Sequence, residues 1–384
     1  MKRATVWLAL VALLITVTTV GCGPAPTPQV IKETVPVEVT KEVVVETTRE
    51  VVVTATPVSP TAVPEQTGPA TIMLYTSVPE GVVVPLVEKF NAENSSDITV
   101  EYYRAGSNSI ISKITTELIV GRVQADVIWV ADPAYPMSLK KMGLLMPYET
   151  PASIPDQFKD PDGYFCAGRV INMGLAYNTN LVSAEEAPKD WEDLLDPKWK
   201  GNVGLGSPLF SGTAIDAYQA LRDKFGTEGE QSSKYAVYFK KLADNGAVVV
   251  SGQEDVIRKI ASGDLKVGMA VDFMVRQQID AGGPIAFVYP ESGAVAIASP
   301  LAILASTDEP EAAQEFIDFC LSQAGQEFLV QLRVLSVNLD IAPPEGVPTV
   351  PEILANAIPI DFENIEKNRD GLLQEFEYGM FMAP

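Results

Sequence analysis

The sequence predicts an α/β protein of two lobes, with mostly parallel sheets flanked by helices and a cleft between the lobes. Three observations support this fold class. The chain has 384 residues, more than one hydrophobic core usually serves. Short apolar stretches typical of buried strands alternate with helical patterns, as in parallel sheets covered on both faces. Several of these stretches end at polar residues, and the carboxyl ends of parallel strands are where α/β proteins bind ligands.

Residues 1–21 have the pattern of a secretory signal peptide. Lys2 and Arg3 precede the apolar run Val6 to Val20, which is too short to span a bilayer comfortably. The segment Thr19-Val20-Gly21-Cys22 resembles the cleavage box of bacterial lipoproteins, although Thr19 stands where Leu is usual. We therefore expect lipid on Cys22 and an extracytoplasmic, membrane-anchored protein, at the cell surface or in the periplasm. An uncleaved anchor is the alternative.

Residues 22–69 are predicted to be a tether. They are rich in Pro, Thr, Val and Glu and contain an eight-residue repeat, VPVEVTKE from Val35 followed by VVVETTRE from Val43. An even period suits extended backbone, but proline flanks the repeat and no partner strands are evident. A spacer that holds a folded domain off the membrane is the simpler interpretation, and a self-associating β ribbon is the alternative.

The composition excludes several functions. The net charge is −22, and it becomes −24 when Lys2 and Arg3 leave with the signal peptide, which argues against nucleic acid as a partner. The chain has no histidine, so catalysis by Ser-His-Asp or Cys-His groups and histidine-based metal sites are excluded. Cys166 and Cys320 are either a disulfide or two buried thiols; the second is slightly favoured because one pair makes a weak disulfide framework.

The first lobe is predicted to comprise residues 70–173 and about 292–333. Ser77-Val78-Pro79-Glu80 has the spacing of a capping box for a helix that runs to about Phe90. A second helix follows Gly106-Ser107-Asn108-Ser109, with Ile110, Ile111, Ile114 and Leu118 on one face. The predicted strands are 71–77, 98–103, 125–130 and 170–177, and the last is interpreted as the first crossing between the lobes.

The second lobe is predicted to comprise residues 174–291 and about 334–384. Asp190 is expected to cap a short helix, and strands are predicted at 202–206 and 247–250. A helix follows Ser211-Gly212-Thr213 and ends near Phe225. Residues 310–329 are predicted to form one amphipathic helix that packs back on the first lobe.

The stretch from Val267 to Leu304 is predicted to line the cleft. An apolar strand, Val267 to Val271, ends at Asp272, and a second strand from Ile285 to Tyr289 is followed by Pro290-Glu291-Ser292-Gly293. Carboxylates at strand ends are candidate ligand contacts. The apolar run from Ala294 onward is interpreted as the return crossing.

Together these pieces resemble the extracellular solute-binding proteins of ABC importers, in the branch that binds ferric ion, thiamine, phosphonates or sugar phosphates. The resemblance covers about residues 71–345. Its most specific pieces are the strand with Tyr75-Thr76-Ser77, the segment 191–201, Ser211-Gly212-Thr213, Tyr289-Pro290-Glu291-Ser292-Gly293 and the helix start at Glu309-Pro310-Glu311.

The resemblance implies a two-lobed periplasmic-binding-protein-like fold of type II, which closes over one small solute and delivers it to a membrane permease. It implies neither catalytic residues nor a cofactor, and we expect a monomer. Ferric-ion binders of this branch hold the metal through adjacent tyrosines after the strand that ends here at Asp272. This chain has Phe273 and Met274 there, so we expect no metal site.

The candidate ligand contacts come from five segments, each near the end of a predicted strand or the start of a helix. Ser211-Gly212-Thr213 at a helix start offers N–H groups and the positive end of a helix dipole, which suits an anion, and the resembling family uses this turn for one. Asp272 and Glu291 accept hydrogen bonds and would bind hydroxyl or amine groups at the ligand's other end. Each residue also has an alternative as a helix cap or a solvated acid. The candidates are Thr76, Ser77, Ser107, Asn108, Ser211, Gly212, Thr213, Asp272 and Glu291.

We therefore expect a lipid-anchored solute-binding protein that captures a small phosphorylated or phosphonate compound. Three alternatives stay open at this point: a ferric-ion-binding protein of the same family, a hydrolase that uses Asp272 and Glu291, and a sensor that docks on a membrane receptor.

Overall fold

A computed structural model of the chain describes residues 69–384. The predicted signal peptide, Cys22 and nearly all of the tether lie outside these residues. The strands are β1 (Ala70–Thr76), β2 (Ile98–Arg104), β3 (Val127–Trp129), β4 (Leu145–Met146), β5 (Cys166–Asn178), β6 (Val203–Gly206), β7 (Thr227–Glu228), β8 (Tyr235–Ala236), β9 (Val248–Val250), β10 (Val267–Val271), β11 (Ile285–Val288) and β12 (Val295–Leu304).

Helices fill most of the connections between these strands, as the alternating sequence pattern predicts. The α-helices are α1 (Glu80–Glu93), α2 (Ser107–Ile119), α3 (Ala134–Lys141), α4 (Gly212–Phe225), α5 (Val237–Asp244), α6 (Gln253–Ser262), α7 (Asp272–Asp280), α8 (Pro310–Leu321), α9 (Gln323–Gln331), α10 (Val350–Ala355) and α11 (Phe362–Glu377). None of the helices in residues 69–384 is long and apolar enough to cross a membrane.

The main sheet has two parallel groups of strands joined by an antiparallel centre. Its order is β2-β1-β3-β12-β5-β10-β6-β9, with β11 and β4 added beside β5 and β12. The pairs of β1 with β2 and β3 are parallel, and so are those of β6 with β9 and β10. β12 and β5 pair antiparallel with each other and with the neighbouring strands β3 and β10. This curled α/β sheet confirms the predicted fold class.

β5 and β12 pass from one parallel group to the other. β12 pairs with β3 through Leu301–Ile303 and with β5 through Val295–Leu301. β5 then continues and pairs with β10 through Met173–Tyr177. The predicted crossings at 170–177 and from Ala294 onward are these two strands. The predicted lobe boundaries, which fall close to them, stay a prediction.

The predicted capping box at the start of α1 is wrong. Pro79 occupies the N-cap position, and no side chain caps the helix. Ser77 is instead held by the end of β3 and the residues after it, because its N–H donates to the Trp129 carbonyl and its Oγ accepts from the Ala131 N–H, at 3.0 and 2.9 Å. At the other predicted cap, Asp190 and Asp193 form a capping box that starts a short 3-10 helix, Trp191–Leu195.

The helix predicted at residues 310–329 is divided in two. Ser322 adopts an extended conformation between α8 and α9, and its Oγ accepts from the Gly325 N–H. A Cβ at Gly325 would lie 2.1 Å from the Phe319 carbonyl oxygen, so the turn requires glycine there. α8 packs on β1 and β12.

The C-terminal helix α11 contacts both parallel groups. Glu375 accepts hydrogen bonds from Tyr218 and Arg222 of α4, at 3.0 and 2.6 Å. At a kink next to Asn368, Arg369 binds Asp132 and Asn108 near the ends of β3 and β2. Helix α11 therefore spans the two halves of the folded chain.

Cys166 and Cys320 are both buried and unpaired. Cys166 begins β5 and Cys320 lies in α8. Burial raises the pKa of the Cys166 thiol to about 12, so it stays protonated at neutral pH. Of the two sequence-based alternatives, buried thiols describe the pair.

Candidate functional site

A cavity of about 240 Å³ lies where the two parallel groups face each other. Arg169 and Ile171 of β5 contribute to its wall, together with Val271 at the end of β10. Its lining also includes residues at the starts of helices from both halves of the chain: Ser107, Gly212, Thr213, Gln253, Glu254 and Asp255. The cavity therefore has the position of a ligand site between lobes.

Three helices begin at this cavity without a side-chain cap. They are α2, α4 and α6, which have 13, 14 and 10 residues and follow Gly106, Ser211 and Gly252. The first N–H groups of a helix have no acceptor within the helix, and they carry the positive end of its dipole. The Ser211 hydroxyl is 2.9 Å from the Thr213 hydroxyl and does not cap α4. The cavity thus offers backbone donors that suit an anion.

Arg169 places a buried positive charge beside these helix ends. Arg169 is only 1% exposed to solvent. Its guanidinium lies between the rings of Trp129 and Phe273, 5.9 and 5.3 Å from their centroids. Nε makes a long hydrogen bond to Ser299 Oγ at 3.4 Å, and Nη1 has no partner in the described part of the chain. Burial, together with the like charge of Arg104, lowers the pKa of Arg169 to about 9.

Ser107 and Gln253 add further unsatisfied polar atoms. Ser107 Oγ is buried without a hydrogen-bond partner, and so are both amide atoms of the Gln253 side chain. Buried polar atoms are nearly always hydrogen-bonded in folded proteins, because leaving one unpaired costs roughly 1–3 kcal/mol. Arg169, Ser107 and Gln253 all line the same cavity, so a polar ligand there would satisfy them together.

The two halves touch on both sides of the cavity. Arg104 at the end of β2 forms an ion pair with Glu254 of α6. The Asn108 side chain donates to the Pro208 carbonyl at 2.8 Å. A Cβ at Gly212 would lie 2.5 Å from Ser107 Oγ, so glycine permits the close approach of α4 to α2. The two halves of the folded chain are therefore in direct contact beside the cavity.

Five of the nine predicted ligand contacts line this cavity. They are Ser77, Ser107, Ser211, Gly212 and Thr213. The other four, Thr76, Asn108, Asp272 and Glu291, lie outside its lining. The segment Ser211-Gly212-Thr213 and the turn at Ser107 come together from residues about a hundred positions apart, as the strand-end argument predicts.

Thr76 and Asn108 do not line the cavity, and their side chains form hydrogen bonds within the protein. Thr76 is fully buried, and its hydroxyl donates to the Trp129 carbonyl at 2.7 Å and accepts from the Val78 N–H. The Asn108 side chain bridges Pro208 and Arg369. These contacts fix the chain near the cavity wall.

Asp272 belongs to a buried polar cluster outside the cavity lining. Its carboxylate accepts from the Phe273 N–H at 2.6 Å and from Arg276 at 3.1 Å, and Arg276 also donates to Tyr289. Burial raises the pKa of Asp272 to about 6, although Arg276 and the hydrogen bonds oppose that rise. Glu291 is exposed near Lys189. The carboxylates Glu254 and Asp255 line the cavity where Asp272 and Glu291 were expected.

Arg104, Arg169 and Gln253 were missed by the sequence reasoning. Arg169 is a single arginine within the long apolar stretch of β5, and a charge in a strand buried on both faces is itself a signal of a site. Arg104 is the last residue of β2. The predicted ligand contacts also lie at or just after the ends of strands, so the same argument could have found Arg104. Gln253 begins α6 after Ser251-Gly252, a turn with the same pattern as Ser211-Gly212.

Comparison with known proteins gives a consistent family assignment. Residues 85–355 match the family described as bacterial extracellular solute-binding protein. A probable ABC transporter periplasmic-binding protein of Sinorhizobium fredii, y4fP, is 24% identical over 285 residues, which are 72% of this chain and 78% of that protein.

Two solved structures show the same two-lobed fold. The periplasmic binding protein AfuA of Actinobacillus pleuropneumoniae, with fructose-6-phosphate bound, has 25% sequence identity and a TM-score of 0.72, covering 82% of this chain and 99% of that one. Iron-bound HitA of Pseudomonas aeruginosa has 20% identity and a TM-score of 0.67, covering 80% and 99%.

Proposed function

Because the chain belongs to the bacterial extracellular solute-binding protein family, and therefore acts as the substrate-binding protein of an ABC transporter, we propose that its solute is a small phosphorylated or phosphonate compound. In this proposal the two lobes close over the phosphoryl group and the complex delivers the solute to a membrane permease. Closure removes the ligand from water and strengthens the electrostatic contacts inside the cavity.

The observation that carries the proposal is the unpaired guanidinium of Arg169. A buried charge is costly unless a partner compensates it, and the hydrogen-bond partner of Arg169 among the described residues is a hydroxyl at 3.4 Å. A phosphoryl group in the cavity would accept from Arg169, Ser107 and Thr213 and from the free N–H groups of α2 and α4. AfuA, which shares the fold, was solved with a sugar phosphate, and this supports the same class of ligand here.

Ferric ion fits the same cavity poorly, although HitA binds iron. The guanidinium of Arg169 would repel a trivalent cation at short range. Phe273 and Met274, which line the cavity, supply no anionic oxygen. Residues 69–384 also hold no cluster of three or more Asp, Glu, Cys or His side chains placed to bind a metal ion.

Glu254 and Asp255 are proposed to contact the other end of the ligand. Both line the cavity at the start of α6, where Glu254 pairs with Arg104 and Asp255 with Arg258. Carboxylates accept hydrogen bonds, so they would suit hydroxyl or ammonium groups on a solute whose phosphoryl end lies near Arg169. This arrangement replaces the predicted roles of Asp272 and Glu291.

We further propose that lipid on Cys22 holds the protein at the outer face of the membrane, with residues 23–69 as a spacer. The sequence Thr19-Val20-Gly21-Cys22 carries this part of the proposal. In cells that express the full-length chain, Cys22→Ser is expected to move the protein from the membrane fraction to the soluble fraction. Unchanged membrane retention after that substitution would contradict the anchor.

Calorimetric titration of ligand-free protein tests the proposed ligand class. The titrants are inorganic phosphate, a hexose 6-phosphate, 2-aminoethylphosphonate and ferric citrate. We expect at least one phosphoryl compound to bind, and we expect Thr213→Asp to weaken that binding through charge repulsion. Thr116→Asp on the exposed side of α2 is the matched control. Tight binding of ferric citrate with no binding of any phosphoryl compound would refute the proposal.

A further inference from the structure

A second cavity of about 390 Å³ adjoins the one that contains Arg169. We call the first the inner chamber and the second the outer chamber. Pro79, Arg104, Glu254 and Met274 line both chambers, which are therefore neighbours. The outer chamber is completed by residues at the start of α1 and on α6 and α7: Glu80, Gly81, Ile257, Arg258, Gln277 and Gln278.

The ion pair between Arg104 and Glu254 lies at the boundary between the chambers. The two side chains are 26% and 51% exposed, so their attraction is screened by solvent and is worth little in free energy. Arg104 Nε is buried and has no partner among the described residues. Arg104 can therefore exchange part of its contact with Glu254 for a hydrogen bond to a ligand at low cost.

The lining of the outer chamber suits hydroxyl groups. Gln277 donates to the Leu332 carbonyl at 2.9 Å, which leaves its side-chain oxygen as an acceptor. Gln278 adds an amide, Glu80 adds an exposed carboxylate, and Arg258 adds a guanidinium. Hydroxyls both donate and accept, so they match this mixture of groups. No aromatic ring is among the residues that line this chamber, so it lacks a surface on which a nucleobase would stack.

Size points the same way. Ligand pockets usually measure about 300–1,000 Å³. The inner chamber, at about 240 Å³, is below that range, and the two chambers joined fall within it. We propose that the solute is a phosphate ester with a polyhydroxylated extension, whose phosphoryl group lies in the inner chamber and whose extension passes Arg104 into the outer chamber. This inference depends on the proposed function, because it assigns the phosphoryl end to Arg169.

Gly81 offers a way to block the outer chamber alone. It lies in the first turn of α1 without a left-handed backbone conformation, and a Cβ there would meet only the end of the Gln277 side chain, at 3.5 Å. Gly81→Leu would therefore fill part of the outer chamber, and leucine favours the helix over glycine. Gly81→Ala fits in ordinary contact and is the matched control.

The experiment measures the affinity of three proteins, the wild type and the two Gly81 variants, by calorimetry. The ligands are inorganic phosphate, a hexose 6-phosphate and trehalose 6-phosphate as a longer polyhydroxylated phosphate monoester. For the wild type and Gly81→Ala, we expect the longest ligand to bind about tenfold or more tightly than inorganic phosphate, as one or two additional hydrogen bonds would give. Gly81→Leu is expected to lose this gain and to bind inorganic phosphate as the wild type does.

Two results would overturn the outer subsite while leaving the proposed function intact. One is equal affinity of the wild type for inorganic phosphate and the longest ligand. The other is a gain for the longest ligand that survives in Gly81→Leu. If no phosphoryl compound binds to any of the three proteins, both the proposed function and this inference fail. Thermal unfolding of Gly81→Leu at or above the wild-type temperature would establish that the variant is folded.

Discussion

Arg169→Met is expected to stabilise the ligand-free protein and to remove its affinity for anions. Burial lowers the pKa of Arg169 to about 9, and the fall from its ordinary value corresponds to a cost on the order of 5 kcal/mol for keeping the charge in the cavity wall. Cation–π contacts with the rings of Trp129 and Phe273 offset part of this cost. We therefore expect the variant to gain about 1–4 kcal/mol in the free energy of unfolding without ligand.

The same substitution removes the main charge that would face a bound phosphoryl group. Removing one partner of a buried charge pair typically costs about 2–5 kcal/mol, or roughly 30- to 4,000-fold in affinity. Urea unfolding with and without ligand measures the stability effect, and calorimetry measures the affinity. The variant should be more stable than the wild type without ligand and should gain nothing from adding ligand.

Arg222→Met is the control for this prediction. Arg222 is also largely buried, but it pairs with Glu375 of α11 at 2.6 Å. Its loss should destabilise the protein by about 1–3 kcal/mol and leave ligand affinity unchanged. Our interpretation of Arg169 would be refuted if Arg169→Met destabilised the ligand-free protein while phosphoryl compounds still bound with wild-type affinity.

Two further predictions concern closure and pH. Gly212→Ala places a Cβ 2.5 Å from Ser107 Oγ and 3.1 Å from Asp132 Cβ, so we expect it to hold the halves apart, lowering ligand affinity and raising the radius of gyration in small-angle scattering. Burial raises the pKa of Asp272 to about 6, above the value of roughly 3.9 expected for an unfolded chain. The folded state therefore binds the extra proton between about pH 4 and 6, and stability falls as pH rises through that window, by on the order of 2–3 kcal/mol. Asp272→Asn should lose this contribution, which urea unfolding at several pH values would measure.

Each of these predictions has a comparison that isolates its cause. Gly252→Ala lies in the same cavity lining but meets nothing within 4 Å, so it should leave closure unchanged. Equal affinities and radii for Gly212→Ala and the wild type would contradict the close contact. Asp272→Asn keeps every other carboxylate of the wild type. The difference between the unfolding free energies of the two proteins therefore reports the contribution of Asp272 alone. A difference that does not change between pH 4 and 7 would exclude the raised pKa.

The longer strands of the main sheet and several of the helices could be predicted because local patterns determine them. The apolar stretches that became β1, β5, β6 and β10 are almost fully buried, and the helix of Ile110 and Ile114 has a clear apolar face. The errors came from tertiary contacts. Ser77 was assigned to a cap, but its N–H donates to the Trp129 carbonyl of β3 and its hydroxyl accepts from the Ala131 N–H just after that strand. The break at Ser322 depends on the close contact of Gly325 with Phe319, which no periodicity reveals.

The site was predicted in part for the same reason. Turns that start helices carry a recognisable pattern, and Ser107 and Ser211-Gly212-Thr213 do line the cavity. The sequence pattern of a turn does not, however, predict the direction in which a side chain points. Asp272 follows its strand as expected, yet its carboxylate accepts from Arg276, which also donates to Tyr289, and it does not line the cavity. Asn108 lies in the first turn of α2 as expected, but its side-chain oxygen accepts from Arg369, more than 250 positions away.

The order in which the strands of the sheet are joined has a consequence for export. β3 pairs with β12 through residues near 128 and 302, and β5 pairs with the same strand through residues 166–173. The parallel group formed by β1, β2 and β3 therefore cannot pair with β12 until the chain has been exported as far as residue 304. Pairings this distant in sequence form slowly, because the chain between them must first be ordered. A polypeptide that crosses a membrane from its N-terminus would thus remain unfolded, and threadable through a translocation channel, until most of its length has passed.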